Sequence, residues 1–362
     1  MIYYFSAFAI TLLFAFFAQK ASNKRTKQVF RFLSFLPFTL ISGFRAYNVG
    51  IDTRINYVPN YIIAVKYGDS IDFFNYFSKL YSFGFNVILF VMYRYFESPT
   101  SLLLVCSILI NGFTFKAIYD QSKYPIISII IYFLSGAFLL TMNGMRGYIS
   151  FAMILYSLKY IKMRKLKEFL FFYIISSLIH PSVVVFIVLY PLYNFKLKKV
   201  HFFFILLTLP IMVLFGSDIL YFFLRNTSFA NYFAGKGLFI NPLYTMIIIN
   251  FILLLIFCIN YNSHNDDKEY NFYLKLQLLS FIVSMMSFSL TQSYRVEQMI
   301  DFFQILTIPY NLLLIHKNSK ITSTSKKFIY LCVIFLFVFY FTKVMILDDS
   351  NQVRDYISIF MR

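Results

Sequence analysis

The stretch Phe169-Leu-Phe-Phe-Tyr-Ile-Ile-Ser-Ser-Leu-Ile-His180-Pro181-Ser182-Val-Val-Val-Phe-Ile-Val-Leu-Tyr-Pro-Leu-Tyr-Asn-Phe195 carries one side chain that titrates near neutrality, His180. It lies between two basic clusters, Lys162-Met-Arg164-Lys165-Leu-Lys167 and Lys196-Leu-Lys198-Lys199. As one continuous helix it would be about 40 Å long at ~1.5 Å per residue, enough for a tilted membrane span. A single crossing would leave a basic cluster on each side, whereas the positive-inside tendency keeps both cytoplasmic. The stretch therefore has to fold back, with His180-Pro181-Ser182 as the bend at or near the outer face. A lone imidazole there is costly to place and hard to explain by packing.

The rest of the chain supports a membrane setting. Of its 362 residues 60% are apolar and 13% charged, with 49 Phe and 30 Tyr, more apolar surface than a soluble domain of this size can hide. Apolar windows recur from end to end without the period-two alternation of a β-barrel strand, so the expected fold is an all-α, polytopic integral membrane protein. A net charge of +18 would point to nucleic acid in a soluble protein. Here the basic residues sit in short loops between apolar windows, where anionic headgroups meet them; membrane lipids are the expected partner and nucleic acid is not. Cys106, Cys258 and Cys332 each lie inside an apolar window with no His or acidic neighbour at ligand spacing, and read as small core residues.

Twelve windows read as transmembrane helices: 2–19, 29–44, 100–118, 125–142, 147–161, 168–180, 182–195, 201–216, 242–260, 272–292, 297–316 and 328–347. The first has no basic segment before it and lysines after it, so it reads as a signal anchor with its N-terminus outside. Counting from there collects 21 of the 33 basic residues into cytoplasmic loops. The window 82–97 resists, because a thirteenth span would invert every later loop. It is short and ends in Arg94 and Glu97, and is taken as an interfacial or re-entrant helix within a long outer segment, residues 45–99, with amphipathic helices. A second outer loop is expected at 217–241, a solvated amphipathic tail after Asp348, and a single membrane domain over 1–362. This topology puts Arg45, Asp52, Arg146, His180 and Arg295 on the outer side, although they come from five separate parts of the chain.

Each of these groups has a structural reading beside a functional one. Arg45 follows the second span in Arg45-Ala-Tyr-Asn-Val-Gly50-Ile-Asp52-Thr53-Arg54-Ile-Asn-Tyr57, where it could snorkel to the interface and Asp52 could cap the next helix. Arg146, in Asn143-Gly-Met-Arg146-Gly147, could be a helix-end arginine, but a guanidinium also matches phosphate oxygens and stays charged when partly desolvated. His180 is the one plausible proton acceptor at neutral pH, since an imidazole ordinarily titrates at about 6.5. Arg295, in Gln292-Ser-Tyr-Arg295-Val-Glu297, has a potential ion-pair partner two residues on. Asp266-Asp267 and Asp348-Asp349 lack multi-ligand spacing and read as solvated, so neither a metal nor another cofactor is expected. Walker, GxGxxG, HExxH and GxSxG motifs are absent, which leaves nucleotide and protease chemistry unsupported.

Arg45…Gly50-x-Asp52-Thr53-x3-Tyr57, Asn143-x2-Arg146, the x-Lys-x-Arg-Lys loop and His180-Pro-Ser, in that order, resemble EpsG-type proteins within the Wzy-like O-antigen and exopolysaccharide polymerases. The likeness covers most of residues 40–195. Two positions depart from the family pattern: Tyr81-Ser-Phe-Gly84-Phe85 lacks the acidic residue often found before the Gly-aromatic pair, and Gly147 stands where Gln is common. The resemblance implies a GT-C-like architecture and a metal-independent glycosyltransferase of the bacterial inner membrane, with its active site facing the periplasm. Its substrates would be undecaprenyl-diphosphate-linked glycans, with a chain-length regulator as a further partner. It also implies catalytic parts for His180, Arg146 and Asp52, and diphosphate or sugar binding by Arg45, Arg295, Thr53, Tyr57 and Asn143. A lipid-linked oligosaccharide flippase is the main alternative, and a membrane O-acyltransferase is another. A flippase should carry charge deep along a central cavity between pseudo-symmetric halves, and no repeat is visible.

Overall fold

The computed structural model describes the 362-residue chain except residues 68–69, 225–243, 290–292 and 361–362. Helices dominate, and among the described residues the only β pairing is one isolated bridge, Arg45 to Ser358. The chain forms two compact units, Met1–Tyr190 with Phe337–Arg362, and Pro191–Leu336.

In the first unit, α1 (Ile2–Lys20) packs on α2 (Lys24–Gly43), α2 on α6 (Thr100–Gln121), α6 on α9 (Met145–Lys162), and α9 on α10 (Leu166–Ile179). Between α2 and α6 the described part of the segment 45–99 is largely helical. A π-helical turn (Thr53–Tyr57) runs into α3 (Val58–Tyr67), followed by α4 (Ser70–Phe77) and α5 (Phe83–Tyr95). The window 125–142 splits into α7 (Pro125–Leu134) and α8 (Ala137–Thr141). Phenylalanine fills the core: the Phe38 ring lies 4.0 Å from that of Phe138, and the Phe8 ring 4.3 Å from that of Phe133.

Helix α1 is inside out relative to a helix in water. It buries Tyr4, Ala7, Thr11, Ala15 and Ala18, and turns Ile2, Phe5, Ile10, Leu13 and Phe16 outward. Small residues at a helix interface with large apolar ones outside is the arrangement that lipid favours, because burying apolar surface gives no advantage there while close backbone approach does. Exposed Phe328, Leu331 and Phe335 make a similar outward stripe on the last long helix.

The second unit holds α11's last residues (α11 is Leu189–Leu192), α12 (Lys199–Leu224), α13 (Tyr244–Cys258), α14 (Tyr261–His264), α15 (Lys268–Met285), α16 (Ser293–Asp301) and α17 (Gln304–Lys317). Helix α18 (Ser323–Tyr340) begins there and continues as a π-helix over Phe341–Asp348. The outer loop expected to begin at 217 is helical through Leu224, and its part from 225 on lies outside the described residues. Cys258 is exposed on α13 rather than part of a core, whereas Cys106 is buried as a small core residue.

Among the described residues each of the twelve windows falls largely on helix, but not every helix is long enough to cross a bilayer. Among the described residues three are long and apolar enough: α1, α6, and α18 with its extension, Ser323–Asp348. The pair Tyr294–Asp301 and Gln304–Lys317, bent by 50°, makes a fourth if it acts as one span. The chain is thus an all-helical membrane protein with, among the described residues, three clear candidate spans and several shorter apolar helices. Helix α5 belongs to the shorter class.

The stretch 169–195 does fold back. Residues preceding proline are pushed out of the helical region, and His180, at φ −144° and ψ 101°, ends α10 before Pro181. The return limb is a 3₁₀-helix, Pro181–Val188, rather than an α-helix; the run Val183-Val184-Val185 is stiff at χ1 and a poor α former. The two limbs lie side by side. Tyr173 donates to the Val184 carbonyl at 3.1 Å, the Phe169 and Tyr190 rings stack at 5.6 Å, and the Arg164 guanidinium sits 4.5 Å from the Tyr190 ring. His180 is left at the tip.

Candidate functional site

Arg45 anchors the site from inside. It is fully buried and donates to the Ser42 carbonyl in the last turn of α2, and to the Met142 carbonyl at 2.8 Å just past α8. One guanidinium thus caps the negative ends of two helices. It also donates to Thr53 Oγ1 at 3.0 Å, and that hydroxyl donates to Met142 O at 3.0 Å. Burial pushes the Arg45 guanidinium down to about 10, which leaves it charged at neutral pH. Such a residue positions its neighbours; snorkelling to the interface is ruled out by its complete burial.

The bonds of Arg45 and Thr53 hold the segment carrying Asp52. Gly50 adopts φ +89° with its Cα facing the Met142 carbonyl, where a side chain would sit 3.1 Å from that oxygen. Asp52 is half-buried. Its N–H donates to Asn143 Oδ1 at 2.8 Å, and its Oδ1 accepts from Asn56 Nδ2 at 3.0 Å. The carboxylate makes no cap to the helix it precedes, contrary to the capping reading.

Arg146 stands in the first turn of α9. A cation at the positive end of a helix is unfavourable unless something else holds it. Here the holder is an aromatic platform: the guanidinium lies 4.7 Å from the Tyr81 ring centroid and 5.9 Å from that of Phe85. Tyr57, buried, tilts against Phe85 at 5.6 Å and presents its hydroxyl to the Arg146 backbone N–H at 3.5 Å. Asn60 donates to the Tyr81 hydroxyl at 2.6 Å, and burial raises the Tyr57 and Tyr81 phenols above their ordinary range, so both stay neutral. Arg146 Nε is buried without a hydrogen-bond partner, and no carboxylate among the described residues forms an ion pair with this guanidinium.

His180 closes the group. Its ring meets Phe151 edge-on at 5.9 Å, and its Nε2 would lie 3.7 Å from a Cβ placed on Gly147, next to Arg146. The histidine is held from the other side by the loop before α5. Ser82 Oγ donates to the Ile179 carbonyl, and Gly84 packs directly on the Leu178–Ile179 peptide. A Cβ at Gly84 would stand 2.8 Å from the Leu178 carbonyl carbon and 2.9 Å from the Ile179 nitrogen. Gly84→Ala should therefore cost about 1–3 kcal/mol through overpacking and shift His180, read as a lowered thermal midpoint in detergent together with reduced activity. A variant as stable and active as the parent would show that the two backbones need not touch.

On the other face of the 45–57 segment, Ala46, Tyr47, Asn48, Arg54, Val58 and Ile357 border a pocket of about 470 Å³. The tail after Asp348 is not a free amphipathic arm. Asp348 is exposed, but the Asp349 carboxylate accepts from the Val353 and Arg354 N–H groups at 2.9 and 3.0 Å, and the strand-like remainder lies on residues 44–51. Ala46 N–H reaches Ile357 O at 2.7 Å, and Ile359 N–H reaches Phe44 O at 3.0 Å. The other acidic pair also has partners: Asp266 binds Lys196, and Asp267 caps α15 through the Glu269 N–H at 2.9 Å.

Arg45, Asp52, Thr53, Tyr57, Asn143, Arg146 and His180 thus gather in one unit. Arg295 belongs to the other unit, where it is exposed and donates to Tyr294 at 3.0 Å. Glu297, two residues on, points inward and accepts from Asn250 Nδ2 at 3.2 Å, in a buried cluster with Asp301, Gln277 and Gln304. Sequence reading missed Tyr81, on the bend before α5, and Phe85, in its first turn, as a platform, and it expected the tail after Asp348 without its contacts to residues 44–51.

The first unit is that of a helical membrane protein carrying a guanidinium, an imidazole and a carboxylate at helix ends. The chain belongs to the EpsG family, whose model matches residues 28–358. No curated protein and no solved structure gives a significant match.

Proposed function

We propose that this protein is a polysaccharide polymerase that transfers a growing glycan from undecaprenyl diphosphate to the next lipid-linked repeat unit at the outer face of the bacterial cytoplasmic membrane. The observation that carries the reading is Arg146: a guanidinium on an aromatic platform at a helix N-terminus, with no carboxylate partner, is arranged to receive an anion. Family membership supports the same class of reaction.

In this reaction an acceptor sugar hydroxyl attacks the anomeric carbon of the donor glycan, and the bond from that carbon to the diphosphate oxygen breaks. The leaving diphosphate carries its own charge, so electrostatic stabilisation by Arg146 takes the place of protonation. The hydroxyl proton goes to His180, and Asp52 orients the acceptor sugar by hydrogen bonding. Thr53, Tyr57, Asn143 and Arg45 act by holding these groups in place, and the chemistry needs no metal. The pocket beside Arg54 lies within the ~300–1,000 Å³ of typical ligand sites and suits a sugar unit next to the reacting one. The product class is an O-antigen or an exopolysaccharide.

The test is a deletion strain. If the glycan is an O-antigen, cells lacking the protein should display lipid A–core bearing a single repeat in place of a ladder. Complete loss of surface repeats with intact cytoplasmic intermediates would point instead to a flippase and overturn the polymerase reading.

A further inference from the structure

We propose that the C-terminal segment is a working part of the site, and that Asn351 is a positioning residue which sets Asp52 through Asn143. The inference rests on the role given to Asp52 above.

Three observations support it. Asn143 bridges two distant parts of the chain: its Nδ2 donates to Asn351 Oδ1 at 2.7 Å, while its Oδ1 accepts the Asp52 N–H at 2.8 Å. These two bonds select one amide orientation. A flipped Asn143 amide would set donor against donor at Asp52 and acceptor against acceptor at the Asn351 oxygen, so the Asn351 oxygen reinforces the orientation in which the Asn143 oxygen meets Asp52. Second, the same segment grips the backbone on the approach to Asp52. Gly50 N–H donates to Gln352 O at 2.9 Å and Ile51 N–H to Asn351 O at 3.1 Å. Consecutive residues 50, 51 and 52 thus have their N–H groups directed by the tail, the third through Asn143.

Third, the tail is fastened independently of the site. The Tyr4 hydroxyl donates to Val353 O at 2.7 Å, the N-terminal ammonium donates to Arg354 O at 3.3 Å, and the Asp349 carboxylate closes the turn that presents Asn351. Asn351 is therefore delivered by a rigid support rather than recruited by Asn143. An oxygen acceptor is what the Asn143 amide meets at that point.

Asn351→Leu removes the acceptor at similar volume, and Asn351→Asp keeps it. With purified protein in lipid vesicles and a lipid-linked repeat as substrate, Asn351→Leu should lower kcat by roughly 10- to 100-fold while KM moves little, the scale expected when a reacting group is misplaced. Asn351→Asp should recover most of that loss, and the double variant with Asn143→Leu should be no worse than Asn143→Leu alone. The thermal midpoint of Asn351→Leu should stay near that of the parent, which a merely structural contact would not give. Full activity of Asn351→Leu, failure of Asn351→Asp to recover it, or additive losses in the double variant would each overturn the proposal. Asp52→Asn, measured alongside, separates the two levels. An active Asp52→Asn overturns the role of Asp52, whereas an inactive Asp52→Asn beside an active Asn351→Leu overturns only the positioning role.

Discussion

Arg146→Lys should lose roughly 100- to 1,000-fold in kcat, the scale on which one preorganised donor to a developing charge contributes, while the protein inserts and folds at its normal level. The substitution keeps the positive charge and removes what the site is shaped around. The guanidinium sits 4.7 Å from the Tyr81 ring and 5.9 Å from the Phe85 ring and offers a planar donor fork matched to two phosphate oxygens, whereas an ammonium is a compact, strongly hydrated point charge. Because the diphosphate gains charge as its bond to the sugar breaks, the loss should fall on kcat more than on KM. Surface glycan from the variant strain should collapse to a single repeat on an otherwise normal core. A ladder of parental length, at parental protein level, would remove Arg146 from contact with the diphosphate.

His180→Ala should lose about 100- to 10,000-fold, the usual contribution of a positioned general base. A base accepts a proton only when unprotonated, so the rate of the parent should fall as pH falls, and this acid limb should be missing from the residual rate of His180→Ala. The side chain stands at the tip of a fold-back whose limbs pack through Phe169, Tyr173 and Tyr190, well away from the imidazole. Its removal should leave the thermal midpoint nearly unchanged, which separates chemistry from folding. A His180→Ala protein that retains the acid limb would assign the proton to another group.

Much of the candidate site was legible in the sequence. Arg146 and His180 stood out because each is a lone ionisable group at the edge of an apolar window, where chance placement is expensive. Asp52 was legible through Gly50 and the polar run around it. Arg45 was singled out as an isolated charge, and the structure shows it buried and turned back on two helix ends. Whether a guanidinium at a helix exit points to substrate or back at two helix ends depends on what packs over it, here Met142 and Thr53. Tyr81 and Phe85 were hidden by abundance, since two rings among 79 Phe and Tyr residues carry no distinguishing mark. Arg295 shares the character of the others but lies in the second unit.

Composition and the placement of basic clusters were enough to establish a helical membrane protein and to require that residues 169–195 fold back at His180, because the cost of putting apolar surface in water and charge in lipid is local and additive along the chain. The tertiary structure alone decided that the return limb is a 3₁₀-helix, that Arg146 rests on Tyr81 and Phe85, and that Asn351 meets Asn143 across 208 positions of sequence. Those outcomes depend on the direction of individual hydrogen bonds and on which surfaces close over one another, and such pairwise relations between distant residues leave no local trace in a single sequence.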